Sequence, residues 1–375
     1  MTPLLPRAPA PIFRRRLCAT LAGAVALLVV VADGGAQLLD EVTESPHGLR
    51  RLVVQQVFRF GSMEGPDAFT ENAVIAPWVG GFVVAGKHEP GVLQRFDRGG
   101  RFLDAFARRG EGPGEQYAVS RIRVGAGDTL YVLDALRATV NRYDASGRFV
   151  DLIRVPMHVH DFVPLGGRQL VTMGLLRTRA SAGYPLHLVN DSRLMSSFGA
   201  DEPRLMPGAK EAWLFRQLAP GVIDGQVWSA HSRAYVIEAW DLQGNRTDRL
   251  TRTAPWFWEW DEILALTGSR PPYPMIRSIV QDADGLLWVM INVADENWRP
   301  LPRGYVRMER PVPRDQDNRL YDTIIEVIDP GRREVIAHGR FDPRFIRMHG
   351  EYLYSYEEDE MGVPIYTIWR VRIER

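Results

Sequence analysis

The residues best suited to chemistry are two histidines and an aspartate in the tetrapeptide His158-Val159-His160-Asp161. In an extended segment residues i and i+2 point to the same side, so both imidazoles could face one divalent metal with Asp161 as a further ligand. The chemistry would then be metal-assisted elimination or hydrolysis. The plainer alternative leaves His158 and His160 as exposed loop residues. Three arginines, Arg121, Arg277 and Arg344, occupy places that the repeat described below puts level with the histidines. Guanidinium groups favour an anionic ligand over a bound cation. Trp256, Trp258 and Trp260 alternate with Phe257 and Glu259, and on a strand they would form one flat face on which a sugar ring or a peptide side chain could stack. Their plainer role is to cover the edge of a junction between repeats.

No single motif adds a catalytic centre to these groups. Gly-x-Ser-x-Gly, His-Glu-x-x-His and the calcium-loop pattern are all absent from the sequence. The run Gly110-Glu111-Gly112-Pro113-Gly114 lacks the Gly-Lys-Ser/Thr ending of a phosphate loop, so its glycines are expected to serve a tight turn.

Composition narrows the function further. The 375 residues carry 46 Lys+Arg against 46 Asp+Glu, a balance without the basic surplus of a nucleic-acid-binding protein. Arg14, Arg15 and Arg16 precede a small and apolar run from Leu17 to Ala32, the order of a secretory signal. Residues 1–36 are therefore expected to be a cleaved signal peptide, with an uncleaved membrane anchor as the alternative. Its removal takes away four arginines and Asp33, leaving 42 positive and 45 negative charges and a net charge of −3. The single cysteine, Cys18, lies inside that segment, so disulfide and thiol chemistry are excluded from the mature chain.

The elements that position the candidate residues show as an internal repeat. Gly81-Phe82-Val83-Val84, Gln94-Arg95-Phe96-Asp97 and Gly100-Arg101-Phe102-Leu103 return 46 to 48 residues later as Gly127-Asp128-Thr129-Leu130-Tyr131-Val132, Asn141-Arg142-Tyr143-Asp144 and Gly147-Arg148-Phe149-Val150. Such alternating runs, broken by Gly and Asp, are antiparallel strands joined by tight turns. Weaker copies follow at Gln169-Leu170-Val171, Gln226-Val227-Trp228, Gly285-Leu286-Leu287-Trp288-Val289 and Glu351-Tyr352-Leu353-Tyr354, six in all. A four-stranded unit repeated at this spacing predicts an all-β, six-bladed β-propeller of antiparallel blades. The last repeat ends at its third strand, and Leu52–Phe60 precedes the first, so this N-terminal strand is expected to close the ring as the outer strand of blade six. Residues 37–50 read as a linker and 51–375 as the propeller.

On Phe96-Asp97 with Gly100-Arg101-Phe102, Tyr143-Asp144 with Gly147-Arg148-Phe149, and the connector Arg109 to Glu115, the chain resembles the bacterial secreted six-bladed β-propellers related to NHL-repeat proteins. The resemblance implies the fold. Relatives of this shape include lyases, lactonases and ligand-binding modules, so it implies no single activity.

In a propeller, connectors from each outer strand to the next inner strand share one rim with the loops between second and third strands. That places Gly110 to Tyr117, His158, His160, the Trp256–Trp260 cluster and the insertion at 292–322 together. Trp298, Tyr305 and the prolines 300, 302 and 311 make this insertion an expected ordered flap. The functional expectation is a secreted or periplasmic recognition module that uses this rim, the one bearing the blade-five insertion, to bind a peptide, glycan or small anionic molecule. Arg121, His158, His160, Arg277, Arg344, Trp256, Trp258, Trp260 and Trp298 are its candidate contacts. No nucleic acid and no resident cofactor are expected. The alternative is a metal-dependent lyase or hydrolase at the channel mouth, with His158, His160 and Asp161 holding the metal.

Overall fold

The computed structural model describes residues 40–87, 91–156, 159–174, 176, 181–200, 216–223, 225–260, 271–300 and 320–374. Blade one consists of Phe69–Trp78, Gly81–Lys87, Leu93–Asp97 and Phe102–Phe106. Blade two runs through Val119–Val124, Leu130–Asp134, Thr139–Tyr143 and Phe149–Arg154. Blade three contains Val159–Gly166, Gln169–Gly174, Leu186–Asn190 and Arg193–Phe198. Blade four contains Arg216–Pro220, Val227–His231, Val236–Trp240 and Arg246–Thr251. Blade five contains Met275–Gln281, Leu287–Ala294, Tyr321–Asp329 and Glu334–Phe341. Blade six is built from Phe345–His349, Tyr352–Glu358, Pro364–Ile373 and the N-terminal strand Arg50–Phe60. Strands are antiparallel within every blade.

The ring closes as expected. Leu52 pairs with Ile373 and Phe60 with Tyr366, so the first long strand completes the last blade. Packing confirms its role as a true outer strand. Gly100, with φ +82°, turns blade one so closely against the ring of Phe58 that a side chain there would collide with it. Gly147 meets Phe106 of blade one, and Gly244 meets Phe198 of blade three, in the same way. Phe58 of the N-terminal strand is thus the counterpart of outer-strand phenylalanines elsewhere. The preceding aspartates hold these turns: Asp97 Oδ1 accepts from Gly99 N and Arg101 N, both at 2.9 Å. Asp144 and Asp241 repeat the arrangement.

The core is divided among the six junctions between blades. Alternation explains the division. In the second strand of blade five, Leu287, Val289, Ile291 and Val293 face blade four, whereas Met290 faces blade six. Each fully buried side chain of this kind contributes about 1.5–3 kcal/mol relative to exposure. At the closing junction, Phe58, Phe60, Tyr366 and Ile368 of blade six pack with Phe69, Phe82 and Phe96 of blade one.

Two expectations need correction. Residues 40–50 do not form a free linker. Glu41 bridges to Thr251 of blade four, Thr43 and Glu44 pair with Glu334 and Val335 of blade five, and Val42 is 1% exposed. Backbone pairing and burial tie this segment to two blades before it enters the third. The blade-five insertion is also shorter than 292–322, because strand pairing continues to Ala294 and resumes at Tyr321. Residues 301–319, with Pro302, Tyr305 and Pro311, lie outside the described residues, as do residues 1–39. Among the described residues no helix is long and apolar enough to cross a membrane.

Candidate functional site

The inner strands set the site through a repeated bulge. Pairing with the second strand skips Ser120 in blade two, His160 in blade three, Arg277 in blade five and Ile346 in blade six. A bulge of this kind bends the strand and re-aims the side chains beside it. The residues that follow, Arg121, Asp161, Ser278 and Arg347, are therefore equivalent. Two positions on, Arg123 and His349 occupy the next layer of blades two and six.

Asp161 is the centre of the resulting cluster. Its side chain is 1% exposed, and Arg123 Nη2 reaches both carboxylate oxygens at 3.0 and 2.9 Å. The same nitrogen donates to the carbonyl of Leu218 at 3.1 Å, so one guanidinium ties blades two, three and four. Arg121 Nε lies 3.5 Å from Asp161 Oδ1, and the Phe162 N–H donates to that oxygen at 2.9 Å. Burial pushes the Asp161 carboxyl up, but Arg123, Arg121 and Arg347 outweigh it and bring it down to about 2. Asp161 is a fixed anion.

Among the described ion pairs no further acid joins Asp161 in matching Arg121, Arg123 and Arg347. Burial, then repulsion by Arg121, pushes the Arg347 guanidinium well below its ordinary value, although Asp161 acts in the opposite sense. Burial also lowers Arg121. His349 is held neutral by burial and by the charges of Arg123 and Arg347. Three atoms in the cluster, the Nε atoms of Arg121 and Arg123 and Nε2 of His349, are buried without a hydrogen-bond partner, as is the hydroxyl of Tyr354. Tyr354 pairs with Arg347 across the strands and meets the His349 ring edge-on at 5.7 Å. Buried polar atoms are normally satisfied, and these are hydrogen-bonding groups available to a polar partner.

A cavity of about 540 Å³ opens beside the cluster, within the size range of small-molecule sites. Every inner strand contributes to it, through Pro77, Arg123, Pro164, Pro220, Val280 and His349. These residues lie at the exit ends of the strands, so the cavity opens on the rim opposite the long connectors. The prolines fit this place because an inner strand exposes an unpaired edge to the channel and can dispense with an N–H there. Its walls are mostly apolar, and the basic and acidic side chains on them are Arg123, His349 and Glu351. The arrangement can hold a compact organic anion by its charged group.

The structure redistributes the sequence-derived candidates. Arg121 belongs to the cluster. Arg277 stands at the bulge of blade five, and its charge adds to the repulsion on Arg347. Arg344 does not occupy the equivalent place in blade six: the register puts Arg347 there, while the Arg344 guanidinium sits 5.0 Å over the Tyr321 ring. His158 lies outside the described residues. His160 is the exposed bulge residue, and Asp161 is buried and bound to arginines. The carboxylate is thus engaged by guanidinium groups in place of the metal expected beside it. Among the described residues no group of three His, Cys, Asp or Glu side chains is placed to hold an ion.

The tryptophans do not form one face. Residues 252–260 are not a strand, and only an isolated bridge joins Ala254 to Phe257. Trp256 packs into the junction of blades four and five, 6.0 Å from the His338 ring. Trp258 is exposed, whereas Trp260 stacks on Tyr273 at 4.7 Å and carries Arg233 over its ring at 4.5 Å. Trp298 follows the second strand of blade five, where its backbone N–H donates to the Asp295 carbonyl at 3.0 Å. Arg123, Arg347 and His349 were not among the candidates. The alternations Arg121-Ile122-Arg123 and Arg347-Met348-His349, polar residues flanking one apolar residue on an inner strand, are the signal that would have found them.

Comparison with known proteins agrees with the architecture. Residues 86–194 match the model of a family described as a 6-bladed beta-propeller, and the described residues form a six-bladed β-propeller: blades one to four are separate four-stranded sheets, and blades five and six are joined through the N-terminal strand. Among solved structures it is similar to a member of the duf4221 family from Bacteroides vulgatus, with a TM-score of 0.56 and 9% identity over 86% of this chain and 98% of that one. It is also similar to a candidate exported protein from Bacteroides fragilis, with a TM-score of 0.52 and 12% identity over 90% of this chain and 99% of that one. At these identities the likeness is one of fold. No curated protein matches the sequence.

Proposed function

We propose that this propeller is an exported recognition module that binds a compact organic anion in its axial cavity. The observation that carries the reading is the axial arginine cluster beside the cavity: Arg121, Arg123 and Arg347 surround Asp161, the one acid paired with the cluster among the described ion pairs, and Arg123 lines the cavity. Cations that outnumber their acids beside a cavity are a frequent mark of a binding site. The apolar walls would receive the body of the ligand and the arginines its anionic group. Export rests on the arginine triplet and apolar run of residues 14–32.

The test is a thermal-melt screen of the secreted chain against small carboxylates, sulfate esters and their neutral amide or alcohol counterparts. Anions should raise the melting temperature, with a response that weakens at high salt. Equal stabilisation by the neutral counterparts would overturn the proposal. Sequencing of the mature N-terminus tests export directly, and an intact Met1 on membrane-bound material would favour the anchor.

A further inference from the structure

We infer that the axial site takes a ligand group carrying two negative charges and binds it together with a proton on His349. The inference rests on the anion-binding reading and adds the charge of the ligand and its linkage to pH. Glu351 on the cavity wall is paired with Arg370, while Arg121, Arg123 and Arg347 against Asp161 leave a surplus of two positive charges in the cluster beside the cavity, which Arg123 joins to that wall. A monoanion leaves one of them unmatched, whereas a dianion cancels both.

His349 is placed to respond to that difference. It lines the cavity beside Arg123, and its Nε2 is buried with no partner. The charged groups around it come from several elements. Arg347 lies on its own strand, Arg121 and Arg123 on blade two, Asp161 on blade three, and Arg277 of blade five acts on Arg347. In the second strand of blade six, Tyr354 meets its ring and Tyr352 pairs with it across the ladder. Glu351, at the turn, also lines the cavity and is 3.3 Å from Arg370. Pro77, Pro220 and Val280 contribute uncharged parts of the wall.

In the free protein the arginines repel a proton from the ring. A dianion reverses the sign of the local field, and the imidazole takes one proton from water to become a donor to the ligand. Binding must then tighten as pH falls, because linkage makes proton uptake and ligand affinity reciprocal.

Sulfate is a suitable probe because it remains a dianion throughout this pH range, and methyl sulfate is its monoanionic control. Isothermal titration of the mature protein in Bis-Tris and in imidazole at equal pH reads proton uptake from the difference in heat. We expect uptake approaching one proton per sulfate, and affinity rising by up to about tenfold per pH unit from neutral towards pH 5.5. Methyl sulfate should bind more weakly and show no uptake. His349→Gln should retain sulfate binding and lose its pH dependence. Sulfate binding without uptake in the wild type, or uptake that persists in His349→Gln, would overturn the inference while leaving the anion site standing. Failure of sulfate to bind at any pH would overturn the anion reading itself. The wild-type heats decide uptake even if the variant folds poorly.

Discussion

Two of the buried carboxylates, Glu326 and Asp161, are treated in opposite ways. Glu326, at the junction of blades four and five, is 0% exposed and fully engaged. The Tyr235 hydroxyl donates to it at 2.6 Å, Arg252 donates from Nε and Nη2 at 2.9 Å each, and His338 Nδ1 lies 3.3 Å away. Burial pushes its carboxyl up, but His338 and Arg252 hold it below the usual range. Arg252 also reaches the carbonyl of Val42 at 3.4 Å, so the cluster fastens the N-terminal segment as well. One acid meets one full cation and its acceptors are filled. Asp161 on the axis is surrounded by Arg121, Arg123 and Arg347, and unpaired donors remain among its neighbours. Saturation and neutrality describe a structural tie. Excess charge with unsatisfied donors describes a site prepared for something else.

The contrast can be broken by mutation. Glu326→Gln should produce the largest effect, a loss of about 3–5 kcal/mol in urea unfolding, because buried Arg252 then keeps only the exposed Glu44, 3.5 Å away, as a counter-ion. Added sulfate should not restore it. Asp161→Asn should destabilise by a smaller amount, about 2–3 kcal/mol, since Arg121 is partly solvated. Sulfate should recover part of that loss by replacing the missing anion. Equal recovery in both variants would erase the distinction.

Acid titration sharpens it further. The Asp161 carboxyl is depressed to about 2 in the folded chain, so its stabilisation is fully present above its ordinary value near 4 and is lost as pH falls from about 4 to 2. The amount is on the order of 2 kcal/mol, and comparison of wild type with Asp161→Asn over that window isolates it. A difference between the two proteins that stayed constant from pH 5 to 2 would show that Asp161 is not held as an anion.

The blade repeat was legible because each of its marks has a single physical cause. Asp97 and Gly100, like Asp144 and Gly147, are fixed by turn hydrogen bonds and by a phenylalanine from the neighbouring blade. The closing strand was legible from the missing fourth strand of blade six. Axial residues were harder to place, because a bulge in an inner strand shifts register without leaving a glycine or a polar run behind. In blade six Ile346 is the skipped residue, and it looks like any core isoleucine. The expected register therefore fell three residues short, on Arg344 instead of Arg347. In blade three the histidine at the bulge was visible but its orientation was not, and Asp161 was read as a metal ligand when two arginines from another blade already held it. Those partners lie about forty residues away in the chain, and local spacing carries no record of them.

The most direct test of the central claim is Arg347→Gln, measured both for stability and for sulfate affinity. Removing a guanidinium that burial and Arg121 disfavour should stabilise the free protein, by about 1 kcal/mol or less, while weakening sulfate binding at least severalfold. Opposite signs in the two measurements are the signature of a charge kept for a ligand. A variant that is less stable than wild type and binds sulfate equally well would contradict the account.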